Sequence, residues 1–393
     1  MGMYVNPGSQ AFQNAVNSQI YIDKTGLLEK LNRAVCTEQR CICISRPRRF
    51  GKSMAANMIR AYYSRGCDSS WIFSKYKISQ TQDYNKYLNK FNVIHFDAAA
   101  FLNRSKDVDT TVGLIDQTLL GGLKNEFPQI INDSVSDTFS ALIRIYENTQ
   151  MQFVIIIDEW DCMIREKMNH AVLIEDYLKF LSMLFKSSES QDFLALGYMT
   201  GILPIKKFKG ESALNNFCEY TMTEPADFAE YFGFTQEETQ ALCTQYQMNQ
   251  SEITKWYDGY CLGTFKHIYN PNSLVQAVIK QSISSYWKNT AAYENLNRYI
   301  LCNFEGLKDT VLHMLLGGQC RVNIDTFQND LKEFADQNDI LAALIHLGYL
   351  TYHADTGMAD IPNEEVRMAF VSAIRMGGWK DGKEYSCKIE KYH

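Results

Sequence analysis

A chain of 393 residues, 46% hydrophobic and 21% charged, carries ample material for two or three compact domains. Its formal charge of −6 excludes the global basic field that drives strong nonspecific binding to nucleic acid. No stretch approaches the roughly eighteen consecutive apolar residues of a membrane-spanning helix, and Met1-Gly2-Met3-Tyr4-Val5-Asn6-Pro7 lacks a basic region followed by an apolar one, so a cytoplasmic, non-membrane location is expected.

In chain order, Cys41-Ile42-Cys43-Ile44 is the first strand candidate. Arg46-Pro47-Arg48-Arg49-Phe50-Gly51-Lys52-Ser53 follows, and a helix is expected from Met54 to Ser64. Strand, loop and helix in this order make a phosphate-binding loop. Backbone N–H groups at the helix start would cradle the phosphates of a nucleoside triphosphate, Lys52 would add a charged donor, and the Ser53 hydroxyl would ligate Mg²⁺. Arg46 stands where the usual pattern has its first glycine, and Arg46 to Arg49 are read as phosphate ligands. The plainer alternative is a Gly-Lys-Ser triplet on an exposed turn, which the strand–loop–helix order disfavours.

Val93-Ile94-His95-Phe96-Asp97 is a second buried strand, and the spans 108–127, 134–148 and 173–185 have the apolar spacing of helices that cover a sheet. Between them, Phe153-Val154-Ile155-Ile156-Ile157 suits a strand buried on both faces and runs into Asp158-Glu159, a Walker B pattern. Asp158 would hold the Mg²⁺ shell, and Glu159 would orient and deprotonate the attacking water. The strand candidate Phe193 to Met199 ends at Thr200-Gly201, where Thr200 is placed as a γ-phosphate sensor; a threonine of an ordinary turn is the alternative. Lys206-Lys207-Phe208-Lys209 is read as a solvated loop in preference to a nucleic-acid contact. Cys218 to Met222 would complete five parallel strands.

Thr235-Gln236-Glu237-Glu238 is a capping box that opens a helical lid. From about Ala292 short helices lead to Leu341–Leu347, a glycine stop at Gly348, a strand, a turn at Asp355-Thr356-Gly357 and a return through Ile361. This order reads as a winged helix. Its helix lacks basic residues, which favours a structural or regulatory role over reading a DNA groove. The eleven cysteines, odd in number and scattered, are expected as reduced thiols. Cys41-x-Cys43 is a strand pattern and not a metal pair, and His95 and His170 are packing or surface residues.

Tyr21-Ile22-Asp23-Lys24-Thr25, the phosphate loop, Ile157-Asp158-Glu159-Trp160-Asp161, Thr200-Gly201-Ile202-Leu203, Trp256-Tyr257-Asp258-Gly259-Tyr260 and Ile361-Pro362-Asn363-Glu364-Glu365-Val366 resemble a bacterial AAA-ATPase-like family over nearly all the chain. The resemblance implies a P-loop ATPase core of the additional-strand, catalytic-glutamate class. Relatives often carry a PD-D/E-x-K nuclease-like domain after the Ile-Pro-Asn-Glu segment; the tail Gly377–His393 is too short for one, so nuclease activity is not carried over. Trp160 stands where the family often has tyrosine. Asp23 and Lys24 either touch nucleotide or brace the first strand.

The expected fold is therefore α/β: a P-loop NTPase core with a parallel five-stranded sheet over 1–230, a helical lid over 231–291, a winged-helix-like domain over 292–376 and a tail over 377–393. The expected activity is Mg²⁺-dependent ATP hydrolysis coupled to lid and winged helix, with Glu159, Lys52 and Thr200 catalytic, Arg46 to Ser53 on the nucleotide, and Ser53 and Asp158 on the metal. A nucleotide-tuned binding protein with little hydrolysis is the alternative. A protein partner, a second copy of the chain and nucleic acid stay open, the last not indicated by charge. GTP is disfavoured by the lack of an Asn-Lys-x-Asp tetrapeptide.

Overall fold

The computed structural model describes residues 2–205, 214–287, 296, 299, 306–324, 334 and 336–376. The basic run Lys206 to Lys209, the shift near Ala292 and the tail Gly377–His393 lie outside the described residues. The chain divides into two units: Met1–Ser45 with Lys52–Tyr220, and Arg46–Gly51 with Thr221–His393.

Five strands build the first unit: β1 (Cys41–Ser45), β2 (Asn92–Asp97), β3 (Phe153–Asp158), β4 (Leu194–Gly201) and β5 (Cys218–Tyr220). They pair in parallel in the order β2-β3-β4-β1-β5, as the α/β reading requires. Every residue of β3 is buried. Phe153, Ile155 and Ile157 join one apolar cluster with Leu119 and Leu123 of helix Thr111–Glu126, Leu142 and Ile145 of helix Thr138–Thr149, and Leu173 and Leu181 of helix Ala171–Phe185. Val154 and Ile156 point to the opposite face by the two-residue period of a strand, and helix Lys52–Tyr63 packs against β3. Cover on both faces is why β3 is apolar without alternation.

The helix expected from 134 begins at Thr138. Asn132 Oδ1 accepts from the amide of Ser134 and makes a turn there, while Asp137 Oδ1 accepts from the amide of Ser140 and caps the helix later.

Among the described residues, the second unit holds two antiparallel sheets. One has the order β6-β8-β7, from Phe234–Thr235, Phe265–Tyr269 and Tyr260–Leu262; the other has the order β10-β11-β9, from Thr351–His353, Met358–Asp360 and Cys320–Arg321. The capping box is present: the Thr235 amide donates to Glu238 Oε2 (2.9 Å), and the Glu238 amide to Thr235 Oγ1 (3.3 Å). Beside the helices of residues 231–291, the sheet β6-β8-β7 is an addition that the sequence reading did not anticipate, because β6 is two residues long and β8 alternates weakly. Helix Gln337–Leu347 stops at Gly348 in the left-handed region (φ 82°), and β10, the turn at Gly357, β11 and helix Glu364–Met376 follow. That is the order expected of a winged-helix-like segment. No helix among the described residues is long and apolar enough to cross a membrane.

Candidate functional site

A cluster of charged groups gathers at the carboxyl ends of β3 and β4. Lys52 and Ser53 open the helix Lys52–Tyr63, and the Lys52 side chain is 4% exposed. Its Nζ lies 3.6 Å from Glu159 Oε1. Asp158 ends β3, and its carboxylate accepts from the hydroxyls of Ser53 and of Thr200 on the neighbouring strand, the latter at 3.1 Å. Burial pushes the Asp158 pKa up, and Asp97, in register with it on β2, adds to the rise; the Ser53 and Thr200 hydroxyls and the Lys52 charge act the other way. The five predicted residues Lys52, Ser53, Asp158, Glu159 and Thr200 thus share one corner of one unit.

The turn that carries Glu159 is tight. Glu159 sits at φ 51°, in the left-handed region, which costs a non-glycine residue about 1 kcal/mol or more. Its amide donates to Asp158 Oδ1 (3.1 Å), its carbonyl accepts from the amide of Cys162 (3.0 Å), and the Trp160 amide donates to the Thr200 carbonyl (3.0 Å). Close approach to β4 makes Gly201 necessary. A Cβ there would meet Asp161 Oδ1 and the Trp160 indole at 2.7 Å.

One cation at this corner was not anticipated from the sequence. Arg165 is 8% exposed; its Nη2 lies 3.1 Å from Glu159 Oε2 and 3.5 Å from Glu166 Oε1, and its Nε lies 3.2 Å from Asp161 Oδ2. The i,i+4 spacing of Asp161 and Arg165 on a short helix was the available signal.

The loop Arg46–Gly51 groups with the second unit, where its side chains have protein neighbours. Arg46 is fully buried, its Nη1 donates to the Thr221 carbonyl (2.9 Å), and its guanidinium lies 5.4 Å over the Phe232 ring. Pro47 leaves no room for a side chain at Gly348, and the charge of Arg48 acts on the Tyr349 phenol. Arg49 (φ 71°) donates from Nη1 to the Tyr286 carbonyl (3.1 Å), and Phe50 meets Tyr260 edge-on at 5.0 Å. Gly51 has φ 91°, a conformation open to glycine. Asp23 accepts from the amides of Thr25 (2.8 Å) and Lys77 (3.0 Å), a bracing arrangement.

An oxygen donor pair, the Ser53 hydroxyl and the Asp158 carboxylate, suits a hard divalent cation, and a cation there would relieve the burial of Asp158 beside Asp97. The residues fit Mg²⁺ in chemistry.

The sequence profile of the AAA-ATPase-like family, described as "Predicted AAA-ATPase", matches residues 7–209. An uncharacterized protein in the vnfD 5′ region of Azotobacter chroococcum mcd 1 is 23% identical over 276 residues, covering 69% of this chain and 50% of that protein. The chain thus spans about half the length of that curated relative. Among solved structures, the chain is similar to the ORC2 protein of Aeropyrum pernix, in ADPNP–ADP complexes, at TM-score 0.40 and 10% identity over 92% of this chain and 97% of that one. Cdc6p of Pyrobaculum aerophilum follows at TM-score 0.34 and 10% identity, over 95% and 99%.

Proposed function

The chain belongs to the AAA-ATPase-like family, and from that membership we propose that it binds ATP with Mg²⁺ and hydrolyses it. The observation that carries this reading is the meeting of the two motifs: Lys52 Nζ stands 3.6 Å from Glu159, and Ser53 bonds Asp158. Lys52 would bind the phosphates, with the amides of Arg46 to Ser53 around them. Ser53 and Asp158 would hold Mg²⁺, which supplies charge neutralisation of the phosphate oxygens. Once Lys52 turns to phosphate, Glu159 Oε1 is released to orient a water and take its proton. Thr200, whose hydroxyl donates to Asp158, would report on the γ-phosphate.

In the reading we favour, nucleotide state regulates the segments 231–291 and 292–376, which act on a protein partner or a second copy of the chain. A second reading, a nucleotide-tuned binding protein with slow turnover, is favoured by one observation: both Glu159 oxygens are engaged by cations, Lys52 and Arg165. Glu159→Gln separates the two. The first reading expects kcat to fall by roughly 10²–10⁴-fold with ATP affinity retained, the range of a lost general base. Unchanged turnover would remove Glu159 from the chemistry.

A further inference from the structure

A carboxylate that acts as a base must be held in one orientation, and Glu159 is only partly covered, with 22% of its side chain exposed. Its two oxygens are divided between two cations: Oε1 faces Lys52, and Oε2 faces Arg165. These partners differ in what else they do. Lys52 follows the phosphate loop in sequence and is claimed by phosphate when nucleotide binds. Arg165 is claimed by Asp161, 1% exposed, which is fixed in turn by the amide of Leu203 at 3.0 Å.

The backbone holds the arginine too, since the Arg165 amide donates to the Asp161 carbonyl at 2.8 Å. Burial works against the Arg165 charge, but Asp161, Glu159 and Glu166 more than offset it and keep the guanidinium protonated. A planar guanidinium can face two carboxylates along two edges, which an ammonium cannot do with the same rigidity. The chain of contacts from Leu203 through Asp161 and Arg165 therefore ends on the oxygen of Glu159 that does not face Lys52.

We infer that Arg165 is the positioning residue of Glu159, holding its Oε2 so that Oε1 is presented when Lys52 moves to phosphate. This rests on the reading of Glu159 as the base. Arg165 acts through Glu159 and needs no contact with nucleotide.

The test is steady-state ATP hydrolysis and calorimetric ATP affinity on the full chain for wild type, Arg165→Met, Arg165→Lys, Glu159→Gln and the double variant Glu159→Gln/Arg165→Met, with melting temperature measured for each. Arg165→Met should lower kcat by roughly ten- to a hundredfold, the cost of a misplaced reacting group, and leave ATP affinity within about threefold. Arg165→Lys should fall between wild type and Arg165→Met, because it keeps the cation beside Asp161 and loses the fork. In the Glu159→Gln background, Arg165→Met should cost no further turnover. If Arg165→Met melts below the assay temperature, Arg165→Lys carries the test.

Wild-type kcat in folded Arg165→Met or, where that variant melts, in Arg165→Lys, alongside a strong loss in Glu159→Gln, overturns the positioning role and leaves the base intact. A loss from Arg165→Met that persists undiminished in the Glu159→Gln background also overturns it, since the effect then bypasses Glu159. Full turnover in Glu159→Gln removes the base itself, and the positioning role with it.

Discussion

Buried and half-buried carboxylates are stabilised in two different ways in this molecule. At the end of β3, Glu159 and Asp161 meet the full charges of Lys52 and Arg165, and Asp158 meets Lys52 together with two hydroxyls. In the second unit, Glu365, 1% exposed at the start of helix Glu364–Met376, accepts from the amides of Tyr286 (2.5 Å) and Trp287 (3.1 Å). Burial pushes the Glu365 pKa up to about 7, against the opposing pull of the Ser273 hydroxyl, these two amides and the charge of Arg49. At the end of β3 the full charges of Lys52 and Arg165 stand 3.1 to 3.6 Å from the carboxylate oxygens of Glu159 and Asp161. Dipoles and a more distant charge leave Glu365 able to change protonation near neutrality.

The largest expected effect comes from breaking the charged arrangement. Lys52→Ala should weaken ATP binding by roughly a hundredfold or more, because a charged donor to phosphate is lost. Calorimetry checks this, and equal affinity would contradict the role of Lys52.

An effect of comparable size sharpens the other side of the comparison. Glu365 titrates from 4.5 in an unfolded chain to about 7 in the folded one, so the folded protein binds the extra proton between these values. Stability contributed by this group is therefore present below about pH 4.5, is lost as pH rises toward 7, and stays lost above it. Glu365→Gln keeps an acceptor for both amides without the charge. It should flatten the fall in melting temperature between pH 5 and pH 7 and gain on the order of 3 kcal/mol at pH 8. A pH series of thermal melts showing the same slope in both proteins would assign the dependence elsewhere.

The smallest change is Thr200→Val, which keeps the shape and deletes the hydroxyl that donates to Asp158. It should cost about 1 kcal/mol of stability without nucleotide, measured by urea unfolding. No loss would mean that Ser53 and Lys52 suffice for Asp158.

Much of the first unit was legible in the sequence because its signals are local. The apolar runs at Cys41, Val93, Phe153 and Phe193 became β1 to β4, and Asp158-Glu159 follows its strand directly. The loop was legible as a motif, but the side-chain placements were not: Arg46, read as a phosphate ligand, has its guanidinium on Thr221 and Phe232, some 175 residues away in sequence for the hydrogen-bonded pair. Glu365 lay inside a recognised segment, yet nothing in Ile-Pro-Asn-Glu-Glu-Val announces amides from Tyr286 and Trp287.

The sequence by itself determined the strands β1 to β4, which helix follows the phosphate loop and which residues end β3, since each depends on neighbours within a few positions. Tertiary structure alone decided the order β2-β3-β4-β1-β5, which sets Thr200 beside Asp158. It also decided the division of Glu159 between Lys52 and Arg165 and the burial of Glu365. Charge pairing and desolvation depend on distance in space, and residues 107 apart in sequence can stand 3.6 Å apart, as Lys52 and Glu159 do.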